Sequence, residues 1–374
     1  MGNVLEEHFS YLSDGVRLER FREAVRRAVM PGHTVVDVGC GFGVLGLMCL
    51  EAGASRVWGV DETPAIEIAR ETMARNGWAE RYTCLHDSSL RVALPQQVDV
   101  AICDHVGYFG FDYGIVRTMG DARARLVKPD GRIIPERIVL QIAAVQATQC
   151  RALANAWAGE PVPGEFHWLR DYAVNTKHPL DFTPQALASA PEELGTIDLR
   201  EDNPEHFSFA ASLTIDRPCD LDGLGGWFEC EIADGVWMTN SPVAPQRIDR
   251  AQAFLPFAVP LSVTAGDSVE VTVSVRHETA LISWSARVSR TGQSARQSTW
   301  ASTILGPADR VPVAERIPRL SPAGEARRAL LGLIDGRASN AEIERAMLRD
   351  HAGLFPTPEQ IARFVRSELY RSTH

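Results

Sequence analysis

The chain has 374 residues, 45% hydrophobic and 23% charged, enough for two or three separately cored domains of ordinary globular composition. A formal net charge of -10 argues against a broad basic face for nucleic acid, because phosphate neutralisation needs clustered Lys and Arg. Seven scattered cysteines with no Cys-x-x-Cys pair argue against a disulfide framework or a zinc site, and no run approaches a membrane span, so a soluble cytoplasmic protein without metal is expected.

In chain order, residues 5–29 are predicted to be one helix, with apolar spacing at Val16, Phe21, Ala24 and Val25, stopped by Pro31-Gly32. The runs 34–38, 56–60, 81–85, 98–103 and 132–140 are short and rich in β-branched residues, with helical stretches between the first three. Alternation of that kind predicts an α/β fold with a doubly wound parallel sheet. Past about Ala144 the pattern changes to strands at 207–215, 226–232, 253–259, 268–275 and 280–289, joined by turns rich in Pro, Gly and Asp, which read as an antiparallel barrel or sandwich. A Pro-punctuated linker over 306–322 leads to helices carrying Leu330, Leu331, Leu333 and Ile334, then Ile343 and Met347, then Ile361, Phe364, Val365 and Leu369. The expected division is an N-terminal helical segment (1–32), a Rossmann-like cofactor domain (33–143), a β-barrel substrate domain (144–305), and a linker with a small winged-helix-like domain (306–374).

The segment Val35-Val36-Asp37-Val38-Gly39-Cys40-Gly41-Phe42-Gly43 puts a glycine-rich turn between a buried strand and a helix, where backbone must come close to a ligand. A dinucleotide fingerprint needs its third glycine at position 44, which is Val44, and the third glycine here is Gly43. With Asp37 ahead of it, Gly-x-Gly-x-Gly suits the methionine moiety of S-adenosylmethionine, which has no phosphate to cradle. Asp61 ends the second strand, where a carboxylate reaches both ribose hydroxyls, with Glu62 beside it; Asp87 and Ser88 follow the third, at the height of an adenine amino group. The competing reading is a plain glycine turn with solvated strand-end aspartates.

These residues resemble the protein arginine methyltransferases over roughly 5–300, most closely over 12–140. Leu12-Ser13-Asp14-Gly15-Val16-Arg17 is similar to the family's helix ahead of the sheet, which implies that Arg17 holds the cofactor carboxylate. Asp37, Gly39 and Gly41 match its glycine motif and Asp61 its ribose-binding acid. Asp104-His105-Val106-Gly107-Tyr108 is similar to its Glu-Trp-Met-Gly-Tyr loop, and Val127-Lys128-Pro129-Asp130-Gly131 with Ile134-Pro135 to its Leu-Lys-Pro-Gly-Gly and Phe-Pro segment. The resemblance implies a seven-stranded-type methyltransferase sheet, S-adenosylmethionine as cofactor, and a homodimer formed through an arm, here 153–168.

Two glutamates of the family's reactive loop clamp the substrate guanidinium. The first matches Asp104; the second falls on Asp112, one residue closer. The family's Thr-His-Trp loop falls on Arg247-Ile248-Asp249, which brings an arginine to the substrate side, and its adenine-contacting glutamate falls on Leu90. Asp104 and Asp112 are read as the clamp or as solvated loop carboxylates, His105 as a proton acceptor or a packing residue, and Tyr108 and Phe109 as tunnel lining or core. The tail, with Leu330-Leu331-Gly332-Leu333-Ile334-Asp335-Gly336, resembles the helical part of peptide-binding domains related to the pyrroloquinoline quinone peptide chaperone, which implies a peptide substrate; a dimerisation or capping role is the alternative.

The expected function is methylation of a guanidino or amino nitrogen in a peptide or small natural product, with Asp104, Asp112, His105 and Tyr108 at the reacting atoms. The alternatives are O-methylation of a carboxylate, which Arg247 would hold and the two aspartates would repel, and a catalytically silent scaffold.

Overall fold

Asp14 splits the helix predicted over 5–29 into α1 (Val4–Ser13) and α2 (Gly15–Ala28), because its carboxylate accepts the Arg17 N–H at 3.0 Å and starts a new helix. In this computed structural model, which describes residues 4–306, 315 and 317–373, α1 buries none of its side chains, whereas α2 buries Arg17, Phe21, Ala24 and Val25.

The predicted parallel sheet follows as β1 (Thr34–Val38), α3 (Val44–Glu51), β2 (Arg56–Asp61), α4 (Ala65–Arg75), β3 (Tyr82–His86), β4 (Val98–Ile102), α5 (Ile115–Arg125) and β5 (Val127–Ile134). It has five strands in the order β3-β2-β1-β4-β5, not the seven-stranded type expected. β1 lies parallel to both β2 and β4, so the winding reverses beside β1 and opens a crevice at the strands' carboxyl ends.

The strand predicted over 132–140 is two strands in different sheets. Pro135 has no N–H to extend the parallel ladder, and the chain turns there into β6 (Arg137–Val145), which leaves the sheet. Next come α6 (Thr148–Ala154), α7 (Arg170–Ala173), β7 (His178–Leu180), β8 (Glu192–Asp198), β9 (His206–Thr214), β10 (Cys219–Ala233), β11 (Val236–Thr239), β12 (Gln252–Val263), β13 (Ser268–Arg276), β14 (Leu281–Val288) and β15 (Ser294–Ser298). One antiparallel sheet runs β7-β12-β10-β6-β8 with β11 on β10, and the other runs β15-β14-β13-β9. The expected closed barrel does not form among the described residues: β8 and β9 are consecutive in the chain but belong to different sheets, so the ladders stay open. Alternating burial along β13 and the Trp284 Nε1–H bond to the Pro256 carbonyl, 2.8 Å, join the two sheets over one core.

Glycine sets how closely the parallel half meets the antiparallel half. A Cβ on Gly226 of β10 would lie 2.4 Å from the Phe109 ring, so the segment after β4 packs directly on β10 backbone. The predicted arm, 153–168, leaves Trp157, Phe166 and Trp168 exposed.

The chain folds as two compact units, Met1–Thr303 and Ile304–His374. The second holds α8 (Pro322–Leu331), α9 (Asn340–Asp350) and α10 (Pro358–Ser372), started by Ser321, by a Ser339–Glu342 capping box and by Thr357. Leu330, Ile343, Met347, Ile361, Val365 and Leu369 form its core. Residues 307–314 and 316 of the predicted linker lie outside the described residues. Among the described residues no helix is long and apolar enough to cross a membrane.

Leu330 is fully buried in this small core. Leu330→Ala is expected to cost about 3 kcal/mol, read as lost amide-exchange protection in peptides from 322–372 with protection of 34–134 unchanged; protection lost equally in both units would show that this core does not stand alone.

Candidate active site

The turn between β1 and α3 holds Gly39, Gly41 and Gly43 in the left-handed region, with φ of 66°, 52° and 83°. Gly39 and Gly41 face a crevice of about 610 Å³, with side chains close over both. A Cβ on Gly39 would come 2.3 Å from the His105 ring, and one on Gly41 would come 2.5 Å from His8. Gly43 turns the other way, toward Met73 and Tyr82, and starts α3.

Two aspartates shape this turn from beneath. Asp37 is buried, accepts the Gly46 N–H at 2.8 Å and the Tyr82 hydroxyl at 3.3 Å, and keeps Oδ1 without a partner. Burial pushes its carboxyl up to about 7. Asp61 accepts the Gly41 N–H at 2.8 Å on one oxygen and the Thr63 N–H and hydroxyl on the other. Arg17, Asp37, Gly39, Cys40, Gly41, Asp61, Glu62, Asp87, Ser88, Asp104 and His105 all line the crevice.

Asp104 leaves β4 at the floor of this crevice. Its Oδ2 accepts Arg17 Nε at 2.5 Å and lies 3.6 Å from Arg250 Nη2, while Oδ1 is buried with no hydrogen-bond partner. Arg17 also donates to the Tyr11 carbonyl at 3.0 Å and lies over the Tyr11 and Phe21 rings. His105 lies against Cys103, whose field, with help from Asp104 and Asp61, outweighs burial and raises the imidazole to about 9.

The rest of the loop is tied to the antiparallel half. Arg250 Nη1 donates to the Gly107 carbonyl at 3.0 Å, and Asn240 Nδ2 to the Tyr108 carbonyl at 2.9 Å. Asp112 turns back under its own loop: Oδ2 accepts the Tyr108 and Phe109 N–H groups at 2.8 and 2.5 Å, and the carboxylate pairs with the Lys177 ammonium. Asp104 therefore lines the crevice described above, and Asp112 does not. Phe109 is fully buried against Gly226 and Phe111, and Tyr108 is half-buried with Lys177 over its ring. Arg247 lies 3.9 Å from Asp181, away from Asp104.

Four side chains of this region escaped the sequence reading. His8 and Tyr11 reach the crevice from α1, where His8 stacks on Phe42 at 4.0 Å. Arg250, three residues beyond Arg247, is the arginine at Asp104; it is placed there because Asp14 Oδ2 accepts the Asp249 N–H at 2.8 Å. Lys177 carried a usable signal: of 38 basic residues in the chain only Lys128 and Lys177 are lysines. Among the described residues no cluster of His, Cys, Asp and Glu could hold a metal ion.

Comparison with known proteins points the same way. Residues 21–168 match the family model described as ribosomal protein L11 methyltransferase (PrmA). Protein arginine N-methyltransferase 1 of Schizosaccharomyces pombe is 33% identical over 60% of this chain and 68% of its own length. The arginine N(omega)-methyltransferase of Streptomyces achromogenes subsp. streptozoticus is 27% identical over 71% of this chain and 75% of its own. Coverage is not uniform: the chain spans 32% of the length of a probable arginine methyltransferase of Arabidopsis thaliana, 34% identical where they match. Arabidopsis thaliana protein arginine methyltransferase 10 shares the fold, with a TM-score of 0.70 at 21% identity over 79% of this chain and 98% of that one.

Such relatives imply S-adenosylmethionine, and the crevice fits it: two glycines give backbone access, Arg17 offers a guanidinium to a carboxylate, Asp61 offers acceptors to hydroxyls, and Asp87 and Ser88 stand at the third strand. Gly39→Ala is expected to weaken S-adenosylmethionine binding at least about tenfold in calorimetry, because the methyl must displace His105 and adopt positive φ. Unchanged affinity in that variant would put the cofactor elsewhere.

The raised carboxyl of Asp37 gives a second expectation. The folded chain holds this proton to about 7 and the unfolded chain releases it near 3.8, so stability falls as pH rises between these values and the penalty is complete above about 7. Asp37→Asn keeps both hydrogen-bond donors satisfied and removes the titration. Its melting temperature is expected to gain on the wild type from pH 4 to 7 and then to run parallel; a constant difference across that range would refute the assignment.

Proposed function

The chain belongs to the protein arginine N-methyltransferase family of S-adenosylmethionine-dependent methyltransferases, and on that premise we propose that it N-methylates a guanidino or amino group of a peptide or small natural product. The observation that carries this reading is Asp104 Oδ1, a buried carboxylate oxygen on the crevice wall with no hydrogen-bond donor. An unpaired buried acceptor is costly, and an N–H of the acceptor nitrogen satisfies it. When bound, the cofactor supplies a sulfonium methyl, whose carbon bonds to the nitrogen lone pair while the electrons of the carbon–sulfur bond return to sulfur.

The chain's own residues then have definite tasks. Arg17 orients Asp104 through Oδ2, leaving Oδ1 to align the nitrogen and accept its N–H. Tyr11 and His8 cover the crevice from α1 and limit water. The exposed aromatics of 153–168 support a homodimer formed through that arm. A second reading, carboxylate O-methylation, draws on Arg250, whose guanidinium lies 3.6 Å from Asp104.

Asp104→Asn separates the two. Methyl transfer from labelled S-adenosylmethionine to N-acetylarginine amide or N-acetyllysine amide is expected to fall about 100-fold, mainly in kcat. On N-acetylglutamate amide the variant would instead gain activity if the acceptor were a carboxylate, because a repelling charge is removed. A gain there, with no transfer to either nitrogen, would overturn the N-methylation reading.

A further inference from the structure

Resting on that N-methylation reading, we propose that Lys177 sets acceptor specificity by occupying the second loop carboxylate, so that the site takes a compact amine nitrogen in preference to a planar guanidinium.

The number of open acceptor oxygens decides between the two. A guanidinium presents a rigid fork of N–H donors and is held best by two carboxylate oxygens, or two carboxylates, in its plane. At this loop, Asp112 is engaged: Oδ2 accepts two backbone N–H groups, Oδ1 is paired with the Lys177 ammonium, and the side chain is 3% exposed. Gly107 makes that inward turn possible, because with φ of 71° it leaves room where a Cβ would sit 2.5 Å from Asp112. Asp104 Oδ2 is taken by Arg17, with Arg250 beside it. Asp104 Oδ1 is what remains, and one oxygen serves a point donor such as an amine.

Lys177 is built into this arrangement. Its ammonium lies 4.3 Å from the centre of the Tyr108 ring and 5.5 Å from that of Phe111, and its side chain is 14% exposed. The cage of one carboxylate and two aromatic faces is what a substrate cation would need, and the chain fills it with its own. The choice of residue carries weight in a chain where arginine supplies all other basic side chains but Lys128.

The test compares wild type, Lys177→Met and Lys177→Arg on N-acetyllysine amide and N-acetylarginine amide, with separate kcat and KM and a melting curve for each protein. Wild type is expected to favour the amine at least about tenfold in kcat/KM. In Lys177→Met the freed Asp112 is expected to lower the guanidine's KM and move the ratio toward it about tenfold, and Lys177→Arg is expected to restore the wild-type ratio. A purely structural lysine would change both acceptors alike and follow the melting temperature. Should Lys177→Met not fold, Lys177→Ala, which likewise leaves Asp112 without the side-chain cation, carries the same comparison. Preference of the wild type for the guanidine, or an unmoved ratio in folded Lys177 variants, overturns the specificity proposal alone. Transfer to neither nitrogen overturns it together with the N-methylation reading.

Discussion

A buried carboxylate shared by guanidiniums from two parts of the chain organises this protein. Asp104 leaves the parallel sheet, Arg17 comes from α2 ahead of that sheet, and Arg250 comes from the loop before β12 in the antiparallel half. Removing one member leaves an uncompensated charge under cover, which costs far more than an exposed ion pair gains. The site therefore depends on three segments folding together. Asp14 makes that coupling tighter, because the same side chain caps α2 on one oxygen and holds the Asp249 N–H on the other, and so fixes Arg17 and Arg250 relative to one another.

From this centre the division of labour follows. The β1–α3 turn supplies bare backbone at Gly39 and Gly41, and bare backbone is what a ligand without phosphate needs for close approach. His105 and His8 lie over those two glycines, so the same lack of Cβ atoms that opens the turn also lets two imidazoles pack on it. Beyond Asp104 the loop is held by its contacts with the antiparallel half: Gly107 and Tyr108 by Arg250 and Asn240, Phe109 by Gly226, and Asp112 by Lys177. A loop so restrained presents its acceptor oxygen in one direction without being ordered at the moment of binding.

Local signals made the cofactor half readable from sequence. A glycine turn, strand-end acids and an arginine in a capped helix are short-range patterns, and Arg17, Asp61 and Asp104 all reach one crevice. The acceptor side is set by contacts between residues far apart in sequence, and there the reading was incomplete. Nothing around Asp112 says that its carboxylate turns inward; that follows from Gly107 and from a lysine 65 positions away. Arg247 and Arg250 are equivalent in composition, and only the Asp14–Asp249 hydrogen bond decides which of them meets Asp104. The closed barrel was overread for a related reason: alternating strands specify buried faces, and closure depends on which edges pair. The break at Pro135 was legible in principle, since a residue without an N–H stands between the two strands that were merged.

Charge ties acceptor choice to activation. Around the acceptor loop the guanidiniums of Arg17 and Arg250 face the one carboxylate of Asp104, and Lys177 faces Asp112. Such a field opposes a cation and favours the uncharged form of whatever nitrogen binds. For an amine this is productive, because a nitrogen must be unprotonated to have a lone pair for methyl transfer, and burial beside positive charge lowers its affinity for the proton. A guanidine keeps its proton too tightly for the same surroundings to strip it. On the proposed amine N-methylation, the two guanidiniums that weaken cation binding would also prepare an amine nucleophile, so that selectivity and activation would arise from one arrangement of side chains.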